Sequence, residues 1–450
     1  MTRPVPETSS SPSSSPPAWT PPATQSVRFA CASGLQDTVC PVDPGARPAA
    51  HAPRVAFDPT HTGTAAILYV GIQDAAAPVE GYQLRLLVTT DGGTTWKDRP
   101  GPALNPLPAG GAANPFRDLQ TIFSPDGRLE AVAAPSYSSN SATYWSESRD
   151  LGQSWSEAVQ IPGVYSPGPL FASATHLWLS GVADDLDYTI AALPWNGTTW
   201  HVGLKSRMPD ERCRDFGDIA MVSGKVVAAC AVSDFRPGTV SYSTTSAIAL
   251  VEIVPENMTY HEVGRMEEDV CFNPMSLVPL PDGRLFVQVQ CERDVGKPIL
   301  AFTMLAWLVD LDKGNWSVVK GPLGGTPAFD ASDGVFWTTS AGDGQGLLHS
   351  LCWCIFKDDL QNVRHESTLY SAWNPANDTV VYSARLTDRV WVGDDPAGVS
   401  PLPRVYFTSA YVLARDGYMW DGSLAVQGDD MIIAWNTDTG IAVQQAHLGP

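Results

Sequence analysis

The sequence predicts an all-β chain folded as a β-propeller of four-stranded blades, about seven of them, with six or eight as the alternatives. Three observations predict it. The stretches TTDGGTTWKD (Thr89 to Asp98) and SESRDLGQSWSE (Ser146 to Glu157) repeat one small turn. Strand starts of similar pattern recur at intervals of roughly 40 to 60 residues, the spacing of propeller blades. Cysteine pairs bracket the first hairpin of two successive units.

The repeated turn has a physical reading. Thr89, Asp91, Gly93, Thr95 and Trp96 fill its skeleton first, and Ser148, Asp150, Gly152, Ser154 and Trp155 fill it again. An Asp at such a position accepts hydrogen bonds from backbone N–H groups just ahead of it. Gly supplies the positive φ that closes a hairpin, and the hydroxyls tie the remaining polar groups. Trp is too large for one hairpin to hold, so it is expected to pack against a neighbouring unit. Looser copies occur in PWNGTTW from Pro194, LDKGNW from Leu311 and NTDTG from Asn436. A β-sandwich array is the rival architecture, and it gives no reason for an Asp-to-Trp turn once per unit.

Inner strands are expected to begin near PRVAF (Pro53), FRDLQTIF (Phe116), GPLFASA (Gly168), CRDFGDIAMV (Cys213), CFNPMSLVPL (Cys271), GTPAFDAS (Gly325) and STLYSAW (Ser367). SPDGRLEAVAA and LPDGRLFVQVQC carry nearly the same turn after the first strand. SVRFACA near Ser26 reads as the strand that closes the ring. Residues 1–25, rich in Ser and Pro, read as a disordered segment, and 26–450 as a single propeller domain.

Composition agrees. A chain of 450 residues exceeds the usual single-core size unless its architecture repeats. Gly and Pro number 38 each and charged residues are 17%, which suits short strands joined by turns. The formal net charge of −20 argues against nucleic acid and anionic membranes as partners. No apolar stretch is long enough to cross a membrane as a helix, and a monomer is expected.

The cysteines, 8 in all, fall into neighbouring pairs: Cys31 with Cys40, Cys213 with Cys230, Cys271 with Cys291, and Cys352 close to Cys354. This favours disulfides and a secreted or extracellular location. The first 25 residues lack the apolar core of a signal peptide, so either another leader exports the chain or the inference of export fails. Zinc is disfavoured, because no C-x-x-C pair occurs. Cys352 and Cys354 stand on one face of a strand and bridge poorly with each other. Asn196, Asn257, Asn315 and Asn377 are N-glycosylation acceptors.

The two full turns resemble the Asp-box, or BNR repeat, of the sialidase-like β-propeller superfamily. The resemblance covers two short motifs and, through blade rhythm, the whole chain. It implies a propeller whose chemistry lies on the face away from these turns. Members that cleave sialic acid use an arginine cluster on the substrate carboxylate, a Tyr nucleophile beside a Glu, and an acid Asp; the Tyr is an exception among glycosidases. Arg54 in APRVAF loosely resembles their Arg-Ile-Pro stretch but lacks its Ile-Pro. Tyr406 and Tyr411 are positional candidates for the nucleophile.

Strand order then separates the faces. First-to-second and third-to-fourth strand turns lie on one face, here called lower; second-to-third loops and blade links lie on the upper face. The starts of the inner strands meet the upper face. They carry Arg54, Arg117 with Asp118, Arg214 with Asp215, and Arg404 if LPRVYF is another inner strand. Arg54, Arg117, Arg214 and Arg404 are the expected substrate-binding residues, since arginine grips a carboxylate with paired hydrogen bonds. Asp118, Asp215 and Tyr406 are the expected catalytic residues, an Asp of raised pKa being able to protonate a leaving oxygen. For Arg117-Asp118 and Arg214-Asp215, a structural ion pair with the adjacent or a neighbouring-blade Asp weighs equally. The expected ligand is a glycan or another small anionic or sugar molecule in an upper central cleft. The expected function is sialidase-like glycoside hydrolysis, with non-catalytic recognition of a glycan or protein as the alternative. No cofactor is expected, although Asp184, Asp185 and Asp187 in DDLDY offer oxygen ligands to a structural calcium ion. GDGQG at Gly342 reads as a flexible loop.

Overall fold

The computed structural model describes residues 25–29, 50–72, 82–103, 118–134, 143–164, 166–182, 188–194, 205–207, 213–233, 245–254, 259–266, 271–292, 302–323, 334–358, 363–385, 389–392, 422–436 and 441–447. Strands and turns make up all of their regular structure. After β1 (Gln25–Phe29), blade 1 holds β2 (Ala50–Phe57), β3 (Ala65–Ile72), β4 (Tyr82–Thr89) and β5 (Lys97–Pro100). Blade 2 holds β6 (Asp118–Phe123), β7 (Leu129–Ala134), β8 (Thr143–Ser148) and β9 (Val159–Ile161). Blade 3 holds β10 (Ser166–Ala172), β11 (His176–Val182), β12 (Tyr188–Pro194) and β13 (Lys205–Arg207). Blade 4 holds β14 (Cys213–Val222), β15 (Lys225–Ser233), β16 (Thr245–Val254) and β17 (Thr259–Met266). Blade 5 holds β18 (Cys271–Pro279), β19 (Leu285–Glu292), β20 (Phe302–Asp310) and β21 (Asn315–Val319). Blade 6 holds β22 (Gly334–Gly342), β23 (Leu348–Asp358), β24 (Val363–Asn374) and β25 (Thr379–Arg385), with β26 (Arg389–Val392) paired to β24 as a fifth strand. Blade 7 holds β27 (Gly422–Gln427), β28 (Asp430–Asn436) and β29 (Ile441–His447), and takes β1 as its outer strand.

The ring closes. The first strand of each blade touches that of the next, from β2 through β6, β10, β14, β18 and β22 to β27, and β27 touches β2. β1 pairs antiparallel with β29, Val27 opposite Val443, so the two ends of the chain share one blade as SVRFACA predicts.

The blades stack through both faces of each sheet. Ala66, Leu68 and Val70 pack towards blade 2 with Leu119, Phe123 and Leu129, while Ala65, Ile67 and Tyr69 pack towards blade 7 with Ile432, Ala434 and Val443. A middle strand such as β3, AAILYVGI, is therefore apolar on both faces rather than at alternate positions, and a polar residue within one, such as Glu130 of β7, is hydrogen-bonded inside. Each fully buried Leu or Ile contributes about 1.5–3 kcal/mol.

The two repeated turns share one hydrogen-bond scheme. Thr95 N–H donates to Asp91 Oδ1 at 2.9 Å, and Ser154 N–H to Asp150 Oδ1 at 2.8 Å. Gly93 N–H donates to Thr89 Oγ1 at 2.7 Å, and Gly152 N–H to Ser148 Oγ at 2.7 Å. Gly93 and Gly152 have φ of 86° and 81°. A Cβ at Gly152 would run into Leu86 of blade 1, and one at Gly93 into Gln445 of blade 7. The positive φ requires glycine at both positions, and at Gly152 the buried Leu86 of blade 1 adds a close approach. The Trp residues pack as expected: Trp96 joins the cluster shared with blade 7, and Trp155 packs on the blade 1–2 cluster and donates Nε1–H to Pro100 O at 3.2 Å. Trp316 of the looser LDKGNW copy packs into the blade 4–5 cluster.

Three sequence expectations need correction. The sixth inner strand is β22, not a strand beginning at Gly325. Ser367 lies within β24, the third strand of blade 6, and the seventh inner strand is β27. GDGQG is an ordered first-to-second strand turn: Asp343 N–H donates to Leu347 O at 2.9 Å, as Ser124 N–H does to Arg128 O and Leu280 N–H to Arg284 O, both at 2.8 Å. Cys271 and Cys291 face each other on β18 and β19 and form a disulfide with Cα atoms 3.9 Å apart, inside a blade's first hairpin. Cys230 and Cys352 are also disulfide-bonded. The side chains of Cys213 and Cys354, and Cys31 and Cys40 altogether, lie outside the described part.

Candidate functional site

The lower face is fixed by contacts between turns. Gly344 N–H of blade 6 donates to Gly428 O of blade 7 at 3.4 Å, and Gln427 Nε2 of blade 7 donates to Asp58 O of blade 1 at 2.6 Å. All of these are first-to-second strand turns, so the inner strands of these blades end together and start together on the opposite face.

Among the described residues, most charged groups of the lower turns are bonded within that face. At Asp91 and Asp150 burial favours the neutral acid, but hydrogen bonds from Thr95 and Ser154, and from Thr89 and Ser148, hold both carboxyls below the usual range. Asp126 is held low in the same way, against burial, by Arg128 and Ser124. Asp282 is held low chiefly by Arg284, and Asp310 by Lys313. Behind them, Arg128 Nη1 donates to Glu147 at 3.1 Å, and Trp145 Nε1 donates to the wholly buried Glu130 at 2.9 Å. In blade 6, buried His349 sits 3.0 Å from Asp343 Oδ2 through Nε2 and 2.7 Å from Tyr370 Oη through Nδ1, tying the turn to the third strand.

The upper face receives part of the expected site. Asp118 opens β6, opposite Ala134. Arg214 and Asp215 follow Cys213 at the start of β14, where the register shifts twice before Ile219. These backbone positions lie at corresponding ends of two inner strands, with β10 between them in the ring. Arg54 sits further along β2, opposite Leu68, is 8% exposed, and donates Nη1–H to Pro53 O at 2.9 Å. The side chains of Asp118, Arg214 and Asp215, and all of Arg117, Arg404, Tyr406 and Tyr411, lie outside the described part. So do Asp184, Asp185 and Asp187. Among the described residues no group of three or more His, Cys, Asp or Glu is placed to hold a metal ion.

One carboxyl escapes the motif reading. Asp218, midway along β14 and partly exposed, accepts the N–H groups of Leu277 on β18 and of Ile219. Burial pushes its pKa up to about 7, against the pull of these two N–H groups. The sequence signal is an acidic residue inside an apolar inner strand, GDIAMV.

No protein-family model matches the sequence, and neither does any curated protein. Among solved structures the chain is similar to the alpha-L-arabinanase of Penicillium chrysogenum complexed with arabinobiose, at 12% identity over 95% of this chain and 99% of that one, with a TM-score of 0.47. It is similar to a Hadza microbial sialidase at 13% identity over 92% and 71% of the two chains, with a TM-score of 0.44. It is also similar to the Trypanosoma rangeli sialidase at 10% identity over 75% and 56%, with a TM-score of 0.41. Likeness at this level says nothing of activity, and the propeller itself rests on the strand pairing.

Proposed function

We propose that this chain is a secreted, carbohydrate-directed propeller that takes a glycan at the upper end of its central channel and hydrolyses a glycosidic bond there in the sialidase-like manner. The supporting observation is the division of polar groups between the faces. The charged side chains of the lower turns are used to build those turns, whereas Asp118, Arg214 and Asp215 stand at inner-strand starts on the other side. In this reading the two matched turns are Asp-boxes. Arg117, Arg214 and Arg404 grip the ligand's carboxylate, with Arg54 behind them. Asp118 or Asp215 gives its proton to the leaving oxygen as the glycosidic bond breaks, Tyr406 Oη passes its proton to a neighbouring carboxylate and bonds the anomeric carbon, and water then displaces Tyr406, returning one proton to the acid and leaving the other on the released sugar while the carboxylate reprotonates the phenol. Glycans on Asn196, Asn257, Asn315 and Asn377 stay off the ligand face.

A glycan-array screen with an assay of released sugar, run on the full chain, tests this. Binding with release supports hydrolysis, and neither binding nor release refutes the carbohydrate reading. A second reading, non-catalytic recognition, is favoured by Arg54, whose guanidinium is turned onto its own chain. Binding without release would select it.

A further inference from the structure

We infer that the raised tip of blade 6, where Lys357 stands directly opposite Arg364 on one sheet face, binds the carboxylate or sulfate groups of an acidic oligosaccharide. This rests on the carbohydrate reading proposed above and narrows it to acidic glycans.

Strand length makes the tip. The first turns of blades 6 and 7 touch on the lower face, Gly344 N–H donating to Gly428 O. From that level β28 runs for 7 residues and β23 for 11. β23 therefore continues above blade 7 from Ile355 to Asp358, by about 13 Å at about 3.3 Å per residue. Those residues pair with Val363 to Glu366 of β24, and these pair on their other side with β26. β25 pairs with β24 lower down, from Leu369 to Asn374. The tip is thus a three-stranded sheet of its own, and β24 is the one described strand that β26 packs against closely.

Its two faces differ. Leu351 and Tyr370, opposite each other lower in the blade, pack against Ile433 and Trp435 of blade 7. Neither pairing slips in register between there and the tip, so alternate positions share that face. They are Ile355, Lys357, Arg364, Glu366, Arg389 and Trp391, three cations against one carboxylate in a chain of formal net charge −20. Lys357 is opposite Arg364 on one side, and Trp391 is opposite it on the other. Like charges set opposite each other across a sheet destabilise it. Glu366, opposite Arg389, offsets one cation and leaves two.

The chain holds an internal control. The other like-charged pair set opposite among the described strands is Glu130 on β7 and Glu147 on β8. There the chain supplies the counter-charge itself: Arg128 Nη1 is 3.1 Å from Glu147 Oε2 and 3.9 Å from Glu130 Oε1. At the tip the face's own residues fall short of negative charge, and a ligand with closely spaced anions makes up the difference. Trp391 adds a flat apolar ring for a sugar face. A slender acidic glycan suits so small a face, whereas duplex nucleic acid and anionic membranes are repelled by the rest of the chain.

Isothermal titration calorimetry of the full chain with hexagalacturonate, a chondroitin sulfate hexasaccharide and neutral maltohexaose tests this. An acidic hexasaccharide should bind and the neutral one should not, and the affinity should fall at least about tenfold between about 50 and 300 mM salt. Lys357→Gln, Arg364→Gln and Arg389→Gln together should weaken binding at least about tenfold, with the circular dichroism spectrum intact. In the wild type, hydrogen exchange read by mass spectrometry should slow in Ile355–Asp358, Val363–Glu366 and β26 when the acidic ligand is added. Binding of neither acidic hexasaccharide, equal binding of maltohexaose, or undiminished binding by the triple variant overturns the inference. So does unchanged exchange at the tip, which decides the matter even if the variant does not fold. Preference for anionic vesicles, or salt-sensitive self-association in sedimentation, gives the face to another partner and also overturns it. Released sugar is not read here, so a chain that hydrolyses a glycan and fails these measurements loses the tip and keeps the proposed function.

Discussion

Replacing Asp150 by Ala should loosen the fold rather than the chemistry. Its carboxylate accepts Ser154 N–H at 2.8 Å, Ser154 Oγ–H at 2.6 Å and Ser148 Oγ–H at 2.9 Å. The hydroxyls can turn to water when the carboxylate goes. The Ser154 N–H keeps only the water that reaches it, so the loss is about 1–3 kcal/mol. The turn is also a docking point for blade 1, because Arg99 donates to the carbonyls of Asp150 and Leu151. Part of the loss should therefore be read at the blade 1–2 joint. Because the folded carboxyl titrates below its usual range, its stabilisation is present above about pH 4 and is lost as pH falls through the folded value. Urea denaturation of both proteins should show a gap at pH 7 that narrows at pH 3. Asp91→Ala, in the same scheme, should behave alike. Equal denaturation midpoints at pH 7 would show that the carboxylate is not what holds the turn.

Three other outcomes are expected. Exchanging Cys271 and Cys291 together for Ser should cost about 2–4 kcal/mol, measured as a lower denaturation midpoint under non-reducing conditions. Gly152→Ala should cost more than about 1 kcal/mol, because it forces a positive φ on a side chain that meets Leu86; an unchanged thermal midpoint would contradict the close approach of blade 1. Changing Arg117 and Arg214 together to Ala should abolish ligand binding or turnover with the circular dichroism spectrum intact, and unchanged function would return both to structural ion pairs.

The blade rhythm is legible because turn chemistry repeats, not because strands do. PDGR and the Asp-to-Trp turn each mark a fixed place in a blade, and with the cysteine pair of blade 4 they carry the first five inner strands. Strand rank within a blade is not written in hydropathy, since every strand buried on two faces is largely apolar whatever its place in the blade. That is why STLYSAW, in the third strand of blade 6, passes for an inner strand. The correct signal was the GDGQG turn, where Asp343 and a positive-φ Gly346 reproduce the PDGR geometry and place the inner strand immediately before it. β27 offers neither long apolar pattern nor proline-marked turn, and is found only by ring closure. The upper-face site is less legible for the same reason: its loops carry no repeat, so each residue must be argued alone. Asp218 was findable, as a charge interrupting an apolar strand.

Asn315 and Asn377 test the division of faces. Both belong to third-to-fourth strand turns, of blades 5 and 6, and both are exposed. A sequence reading that starts an inner strand at Ser367 would put Asn377 in a first-to-second strand turn; it stands instead between β24 and β25, and both turn types open on the lower face. Thr379 Oγ1 donates to Asn377 Oδ1 at 2.6 Å, so turn chemistry alone accounts for an Asn and a nearby hydroxyl. Sugars on these acceptors, where the host adds them, would crowd this face and leave the opposite one open. Asn196 and Asn257, which lie outside the described part, are expected in the corresponding turns of blades 3 and 4. A structure of the glycosylated chain that placed both on the side where β6 and β14 begin would remove the basis for assigning recognition to that side.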